Sequence, residues 1–341
     1  MDPKTIRWGI IGGGELAQKS VVPGLALVAD AQLVSVTSRR TESTRAFAEK
    51  NGLRGYDTLD ALLADPELDA VYIASPNGLH AEHTIAAARA GKHVLCDKPM
   101  ALSQAQCESM IEACEKANVR LGVVFQNRYH PVHLEARRQV EAGVLGEIQF
   151  ATAQLCTGRP RGYWKGWRAD PAVAGSGSIV AHAVHPIDLL RHLIGSEIVR
   201  VQAMTDTHPP ERTVDELACG QFHFANGAFA QVTTATVVPQ AANGVVLYGS
   251  DAKIECLGTL GPSANPGLPQ RFRLESGQPT VEQDHSSSSN AERFAAMFAE
   301  FQRCIRTGTE PSFSGRNGLK MVNIANAMVE SARTGRAVDL A

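Results

Sequence analysis

Residues 10–17 read Ile-Ile-Gly-Gly-Gly-Glu-Leu-Ala, an apolar run that leads into a glycine-rich turn of the form G-x-G-x-x-A. Such a turn, between a strand and a helix, holds the pyrophosphate of a dinucleotide. Gly12 permits the tight turn, Gly14 lets the backbone approach the phosphates, and Ala17 lets the helix pack closely on the strand. The helix N-terminus attracts the anion through its N–H groups and its dipole. The predicted cofactor residues at this turn are Gly12, Gly13, Gly14, Glu15 and Leu16.

The first third of the chain alternates between strand-like and helix-like patterns. The predicted strands lie at 6–11, 32–37, 70–74, 93–96 and 121–125. The predicted helices lie at about 15–28, 42–51, 58–64, 78–90 and 103–117. This alternation predicts an α/β fold, with a parallel sheet covered by helices on both faces. Ligands of such domains bind at the carboxyl ends of the strands.

The second part of the chain has a different pattern, with helices predicted at 131–142 and 178–194. Alternating strands are predicted at 148–155, 198–205, 217–224, 228–237, 244–249 and 252–257. They indicate a C-terminal α/β domain with an open, predominantly antiparallel sheet. Residues 259–291, rich in Pro, Gly and Ser, are predicted to form a long surface loop, and two helices follow at 292–306 and 315–334. We predict a dinucleotide-binding domain at 1–124 and a second domain at 125–341, with the final helix packing back on the first.

Composition excludes several classes of function. The 341 residues carry a net charge of −2, which gives no electrostatic case for binding nucleic acid or an anionic membrane. Seven widely spaced cysteines form no C-x-x-C, so neither a disulfide framework nor a metal site is expected. The N-terminus enters a strand almost at once, and no apolar run reaches membrane-spanning length. We therefore expect a cytoplasmic protein.

The residues at the end of the second predicted strand indicate whether the cofactor is NAD or NADP. An Asp or Glu there accepts from the ribose 2′-OH of NAD, whereas a basic residue accommodates the 2′-phosphate of NADP. This chain has Ser38, Arg39 and Arg40, and no carboxylate until Glu42. A hydroxyl beside two guanidiniums suits a phosphate, so we predict NADP, with NAD possible. The alternative is that Arg39 stacks on adenine while Arg40 is a solvated helix start.

Lys98 follows a short apolar strand at the edge where a nicotinamide would lie, and Pro99 stiffens the turn. A lysine there could stabilise alkoxide charge or deliver a proton, although a surface Asp97–Lys98 pair is the alternative. A second cluster is His182-x-x-His185, whose imidazoles share a helix face and could shuttle a proton. Core or capping histidines, and metal binding with Asp188, are the alternatives for this pair.

Two further stretches make the chain resemble a known family. Residues 74–80 read Ala-Ser-Pro-Asn-Gly-Leu-His, and residues 90–99 read Ala-Gly-Lys-His-Val-Leu-Cys-Asp-Lys-Pro. Together with the glycine turn, they resemble the glucose–fructose oxidoreductase / inositol dehydrogenase (Gfo/Idh/MocA) family. Further similarities, which extend over the whole chain, lie at 127–129, 167–171, 175–177, 185–190 and 330–335.

The resemblance implies an N-terminal Rossmann domain, followed by a C-terminal α/β domain that serves substrate binding and oligomerisation. It also implies hydride transfer between nicotinamide C4 and a sugar, polyol or related carbonyl or alcohol carbon. It makes Lys98 the active-site lysine and His185 a usual acid or base, and it implies a homodimer or homotetramer. Further cofactor residues implied are Ser75, Pro76, Asn77, His80, Asp97, Lys98, Trp167 and Arg168. The expected substrate residues are Lys98, Asn127, Tyr163, His182 and His185, and the expected catalytic residues are Lys98, His185 and His182.

One departure from the family pattern affects the substrate. The family's aspartate, four residues before the histidine, is replaced by Ala181. His182 could substitute, although a one-residue offset rotates a helical side chain by about 100°. We therefore predict an NADP-preferring oxidoreductase acting on a sugar-like molecule, with the choice of proton carrier between Lys98 and His185 left open. Two alternatives are a dinucleotide-binding regulator with little or no turnover and a reductase of a non-sugar carbonyl or imine.

Overall fold

The computed structural model describes residues 5–160, 162–207, 213–238, 243–261, 269–277 and 279–340. The chain forms two compact units, one made of residues 1–126 and 290–322 and the other of residues 127–289 and 323–341. The predicted domain boundary after residue 124 stays a prediction.

The first unit is a doubly wound α/β domain. Its strands are β1 (Ile6–Ile11), β2 (Ala31–Thr37), β3 (Arg54–Tyr56), β4 (Ala70–Ile73), β5 (His93–Cys96) and β6 (Leu121–Val123). Its helices are α1 (Val22–Ala26), α2 (Thr41–Asn51), α3 (Leu59–Leu63), α4 (His80–Arg89) and α5 (Gln104–Lys116). The strands pair in parallel in the order β3-β2-β1-β4-β5-β6. The strand order therefore reverses between β1 and β4, where such folds bind dinucleotides.

The core of this unit forms around Trp8 of β1, whose side chain is fully buried. Its ring contacts Phe298 and Phe301 at centroid distances of 5.1 and 5.8 Å. Both phenylalanines belong to a later helix, which therefore completes the first unit although it lies far along the chain.

The second unit holds a nine-stranded sheet, counted over the described residues. Its elements are α6 (Pro131–Glu141), β7 (Ile148–Cys156), α7 (Pro171–Ala174), α8 (Val184–Ile194), β8 (Ile198–Asp206), β9 (Leu217–Phe224), β10 (Phe229–Ala235), β11 (Gly244–Gly249), β12 (Lys253–Leu257), β13 (Arg271–Glu275), β14 (Val281–Asp284) and β15 (Val338–Asp339). Of the two closing helices, α9 (Asn290–Thr307) belongs to the first unit, and α10 (Gly315–Thr334) is divided between the two units. The order is β14-β13-β12-β11-β7-β10-β9-β8-β15, and only β7 and β10 pair in parallel. The predicted α/β class and mostly antiparallel second sheet are confirmed.

The predicted surface loop at 259–291 is wrong in part, because it contains the paired strands β13 and β14. In β13 the side chains alternate, with Phe272 and Leu274 buried and the arginines on either side of Phe272 facing out. The Pro, Gly and Ser residues around this short run concealed its period of two. Residues 262–268 and 278, which also belong to the predicted loop, lie outside the described residues.

Helix α8 packs on β7 and β11 and is held by a buried ion pair. Arg128 donates to both carboxylate oxygens of Asp188, and the two side chains are 6% and 2% exposed. Removing one partner of such a pair leaves an uncompensated buried charge, which costs about 3–5 kcal/mol. None of the helices in the described residues combines the length and apolar character needed to cross a membrane.

Gly12 and Gly14 give a matched pair of predictions on stability. A Cβ on Gly12 would lie 2.6 Å from the carbonyl carbon and oxygen of Ala74, and its φ is +108°, whereas a Cβ on Gly14 meets nothing within 4 Å. We expect Gly12→Ala to lower the free energy of unfolding by about 2 kcal/mol or more, and Gly14→Ala by less than about 0.5 kcal/mol. Thermal unfolding followed by circular dichroism would compare them, and equal melting temperatures would contradict the geometry.

His192 predicts how stability depends on pH. Burial, assisted by the charge of Arg128, lowers the pKa of His192 to about 4. The unfolded chain, with a histidine pKa near 6.5, therefore binds this proton more readily, so stability is lost as the pH falls from about 6.5 towards 4. We expect His192→Gln to lose less stability than the wild type between pH 7.5 and 5, by up to about 2 kcal/mol. Urea unfolding at both pH values would measure this difference, and parallel losses would show that His192 is not responsible.

Candidate functional site

The glycine turn lies at the point where the strand order of the first unit reverses. The Gly12 N–H donates to the carbonyl of Thr37 at 2.8 Å, which ties the turn to the end of β2. The turn leads into a wide helical turn at Ala17–Val21 that continues directly as α1. Space is open at the Cα of Gly14, so a phosphate could approach the backbone there. The turn therefore fits the pyrophosphate of a dinucleotide.

The two other residues predicted at this turn are on its surface. Glu15 pairs with Lys19 at 2.5 Å, and Leu16 is 38% exposed. A large apolar side chain exposed beside an open turn is available to a ligand. Their contact with a cofactor stays a prediction.

The end of β2 presents basic side chains and no carboxylate. The Thr37 hydroxyl donates to the carbonyl of Tyr56 at 2.8 Å, and the Ser38 hydroxyl lies 2.8 Å from that of Thr44. Arg39 and Arg40 are exposed, and neither pairs with a carboxylate in the described part of the chain. Both guanidiniums are therefore available to an anion at this edge.

His80 ties together the two segments predicted to line the nicotinamide. Its Nδ1 lies 2.8 Å from the carbonyl oxygen of Pro99, and its Nε2 lies 2.9 Å from that of Ser75. The Ser75 hydroxyl in turn lies 2.9 Å from Nδ1 of His83. The segments 75–77 and 97–99 are thus brought together at the carboxyl ends of β4 and β5. His80 is buried, so it positions the backbone of both segments.

Lys98 lies at this edge, next to the carboxyl group of Asp97, whose pKa is shifted. Burial raises the pKa of Asp97, and the Lys98 ammonium opposes that rise. Burial likewise lowers the pKa of His80, while the Asp97 charge opposes that shift. Asp97 and Lys98 are each partly buried, which disfavours the alternative of a solvated surface pair. Titratable groups with opposed, burial-driven shifts are typical of functional sites.

In the second unit, Asp215 caps the N-terminal end of the helical segment that carries both candidate histidines. Its carboxylate accepts from the N–H groups of Gly177 and Ile179 at 2.7 and 2.9 Å, and from the Ser176 hydroxyl. A Cβ on Gly177 would lie 1.9 Å from the Asp215 carbonyl oxygen, so only glycine fits there. The wide turn Ile179–Ala183 follows and continues as α8. Sequence reasoning missed Asp215, because it lies far along the chain from the residues that it caps.

His182 and His185 lie on consecutive turns of this segment, His182 buried and His185 partly exposed. The Nη2 of Arg159 lies 2.9 Å from Nε2 of His182. A guanidinium has donors only, so Nε2 of His182 accepts and the imidazole is neutral. Sequence reasoning also missed Arg159, for which no recognisable spacing gives a signal.

The aromatic loop after β7 is held by a buried tryptophan. The indole N–H of Trp164 donates to the Thr236 hydroxyl at 3.3 Å, and the Tyr163 ring lies edge-on to Trp164. The guanidinium carbons of Arg159 and Arg168 lie 5.0 and 5.2 Å from the centroid of the Tyr163 ring. Arg168 also lies 4.6 Å from the Trp167 ring centroid. Arg159 thus contacts both His182 and Tyr163, and Arg168 contacts the same Tyr163 ring.

Asn127 is placed differently from the other predicted substrate residues. It is 5% exposed, and its carbonyl oxygen lies 2.6 Å from Nδ1 of His133. It therefore belongs to a buried polar network, and its contact with a substrate stays a prediction. No group of three or more His, Cys, Asp or Glu side chains suited to a metal ion occurs in the described part of the chain.

Comparisons with known proteins agree with this geometry. The model of the oxidoreductase family GFO_IDH_MocA, described as an NAD-binding Rossmann fold, matches residues 6–125. The model of the GFO/IDH/MocA C-terminal domain matches residues 133–255. The 1,5-anhydro-D-fructose reductase of Ensifer adhaerens is 29% identical over 98% of each chain. The D-xylose 1-dehydrogenase (NADP(+)) 2 of Haloferax volcanii is 30% identical over 98% of this chain and 99% of its own.

Solved structures with the same fold cover the chain from end to end. The aldose-aldose oxidoreductase from Caulobacter crescentus, complexed with glycerol, matches with a TM-score of 0.89 and 30% identity, over 99% of this chain and 100% of its own. Levoglucosan dehydrogenase in complex with NADH and levoglucosan matches with a TM-score of 0.88 and 25% identity, over 98% of this chain and 99% of its own. Since both halves match family models and full-length relatives are similar throughout, the chain belongs to the Gfo/Idh/MocA family of NAD(P)-dependent oxidoreductases.

Proposed function

We propose that the chain transfers hydride between a bound NADP and a carbinol or carbonyl carbon of a sugar-like substrate. The observation that carries this proposal is the glycine turn at the point where the strand order reverses, with open space at Gly14. Lys98 follows β5 at the same edge of the sheet. The names of the relatives support the substrate class, since they include a D-xylose 1-dehydrogenase and an anhydrofructose reductase. Assembly as a homodimer or homotetramer stays a prediction.

The residues of the proposed site divide into those that bind the cofactor and those that transfer the proton. In the first unit, residues 12–16 hold the pyrophosphate, and His80 fixes the backbone of 75–77 and of 97–99 beside Lys98. The nicotinamide, when bound, supplies the C4 position that accepts or gives hydride. During oxidation, Lys98 or His185 takes the proton of the substrate hydroxyl, and in reduction the same group returns it.

NADP is the proposed cofactor because residues 37–40, at the end of β2, include no carboxylate to accept from a ribose 2′-OH. The exposed Arg39 and Arg40 instead provide charge-assisted donors for a 2′-phosphate. Relatives include a dehydrogenase named for NADP(+) and a structure with NADH, so the residues of this chain must decide the choice.

Replacing the proposed proton carriers should slow turnover. We expect Lys98→Met and His185→Ala each to reduce kcat by about 10²-fold or more. Exposed residues give the controls, Lys116→Met and His223→Ala, which should leave kcat unchanged. Turnover would be followed by NADPH absorbance over a panel of aldoses, polyols and ketoses. Near-normal rates in both active-site variants would refute the proton-transfer roles, and a wild type that binds cofactor but converts nothing in the panel would favour the regulator.

The cofactor preference is tested at Arg39. We expect the wild type to bind NADPH more tightly than NADH, and Arg39→Ala to lose about 10-fold or more in NADPH affinity while NADH affinity changes little. Quenching of the fluorescence of the three tryptophans would report binding. Arg45→Ala, which removes another exposed arginine from α2, is the matched control. Equal or tighter binding of NADH by the wild type would overturn the preference, and a failure to bind either would overturn the dinucleotide site.

A further inference from the structure

The aromatic loop of the second unit holds two cations on one ring. The guanidinium carbons of Arg159 and Arg168 each lie about 5 Å from the centroid of Tyr163, at 5.0 and 5.2 Å. Neither forms an ion pair with a carboxylate among the described residues. Two guanidiniums that contact the same ring raise the positive potential around it, which favours an anion beside the ring.

Arg159 is fixed in place before any ligand binds. Its backbone N–H donates to the carbonyl of Thr236 at 2.7 Å, and the indole of Trp164 donates to the hydroxyl of the same threonine. Its side chain donates to His182, which remains neutral and so cancels none of the charge. The guanidinium is therefore oriented, and its charge is left for another group.

The neighbouring helical segment lacks the carboxylate that the family pattern places there. Ala181 occupies that position, next to the residue that Arg159 contacts. Relative to that pattern, one negative charge is removed and the residue beside it is contacted by a cation. The charge carried at this part of the segment is therefore that of the Arg159 guanidinium.

We propose that Arg159, with Arg168 raising the potential, binds an anionic group of the substrate, so that the chain acts on a sugar carrying a carboxylate or a phosphate. This inference rests on the proposed function and names the substrate class of the same site. An arginine fork binds both kinds of oxyanion through two parallel N–H groups, which gives orientation as well as affinity.

Paired sugars that differ only at C6 test the inference. Titration calorimetry with NADPH-saturated protein would compare D-glucuronate and D-glucose 6-phosphate with D-glucose, and D-galacturonate with D-galactose. We expect at least one acidic sugar to bind about 10- to 100-fold more tightly than the corresponding neutral sugar, and this difference in affinity to shrink as the salt concentration is raised. The carboxylate and phosphate arms show which anion is preferred. Equal affinities within every pair, or no binding by any acidic sugar, would overturn the inference.

The residue is tested by Arg159→Gln, which should reduce the preference for the acidic sugar to within about twofold, and by Arg159→Lys, which should retain part of it. Arg138→Gln removes an exposed arginine from α6 and should leave the preference intact. Arg168 is not varied, because it is also a predicted cofactor residue. Circular dichroism and NADPH affinity would verify that each variant is folded. An undiminished preference in a folded Arg159→Gln variant would overturn the assignment, whereas a wild type that binds neither NADPH nor NADH would instead refute the proposed function.

Discussion

The first unit depends on how closely the end of β1 approaches the end of β4. At Gly12 there is no room for a side chain, because a Cβ would overlap the backbone of Ala74, and the positive φ turns the chain away from the sheet. The adjoining residue in β4's outgoing segment is Ser75, whose carbonyl is one of the two that contact His80. The same close approach thus positions both the glycine turn and the 75–77 segment, which is linked in turn to the segment of Lys98. One steric constraint at Gly12 therefore helps to position the ends of β1, β4 and β5.

In the second unit, the helical segment that carries His182 and His185 is held by two carboxylates, one bound by N–H groups of the main chain and the other by an arginine. Asp215 accepts N–H groups at the start of the helical segment, and Asp188 pairs with a buried arginine farther along it. The first fixes where the segment begins, and the second holds α8 against rotation. His182 and His185 lie between these two anchors, so their directions are set by contacts far away in sequence.

Much of the first unit could be predicted from sequence, because its strands are short apolar runs and its turn has a fixed glycine spacing. The strand β3 was missed, since Arg54 and Tyr56 flank a glycine and bury little apolar surface. β13 and β14 were missed because only Phe272 and Leu274 mark the pattern, amid residues typical of loops. Motifs single out Lys98 and His185 as candidates, whereas the contacts of Arg159 and Asp215 are created by the tertiary fold alone. Local pattern therefore predicts strands and turns better than it predicts the polar partners of a site.

The contact between Arg159 and His182 also limits the chemistry of the three candidate proton carriers. An arginine is not deprotonated in proteins, so the Arg159 guanidinium donates to Nε2 of His182 and cannot accept from it. Protonation of that nitrogen would require the guanidinium to withdraw and would place two cations together in a buried setting. His182 is thus held as a neutral partner that orients Arg159. Of the three candidates, Lys98 and His185 therefore stay the proposed proton carriers.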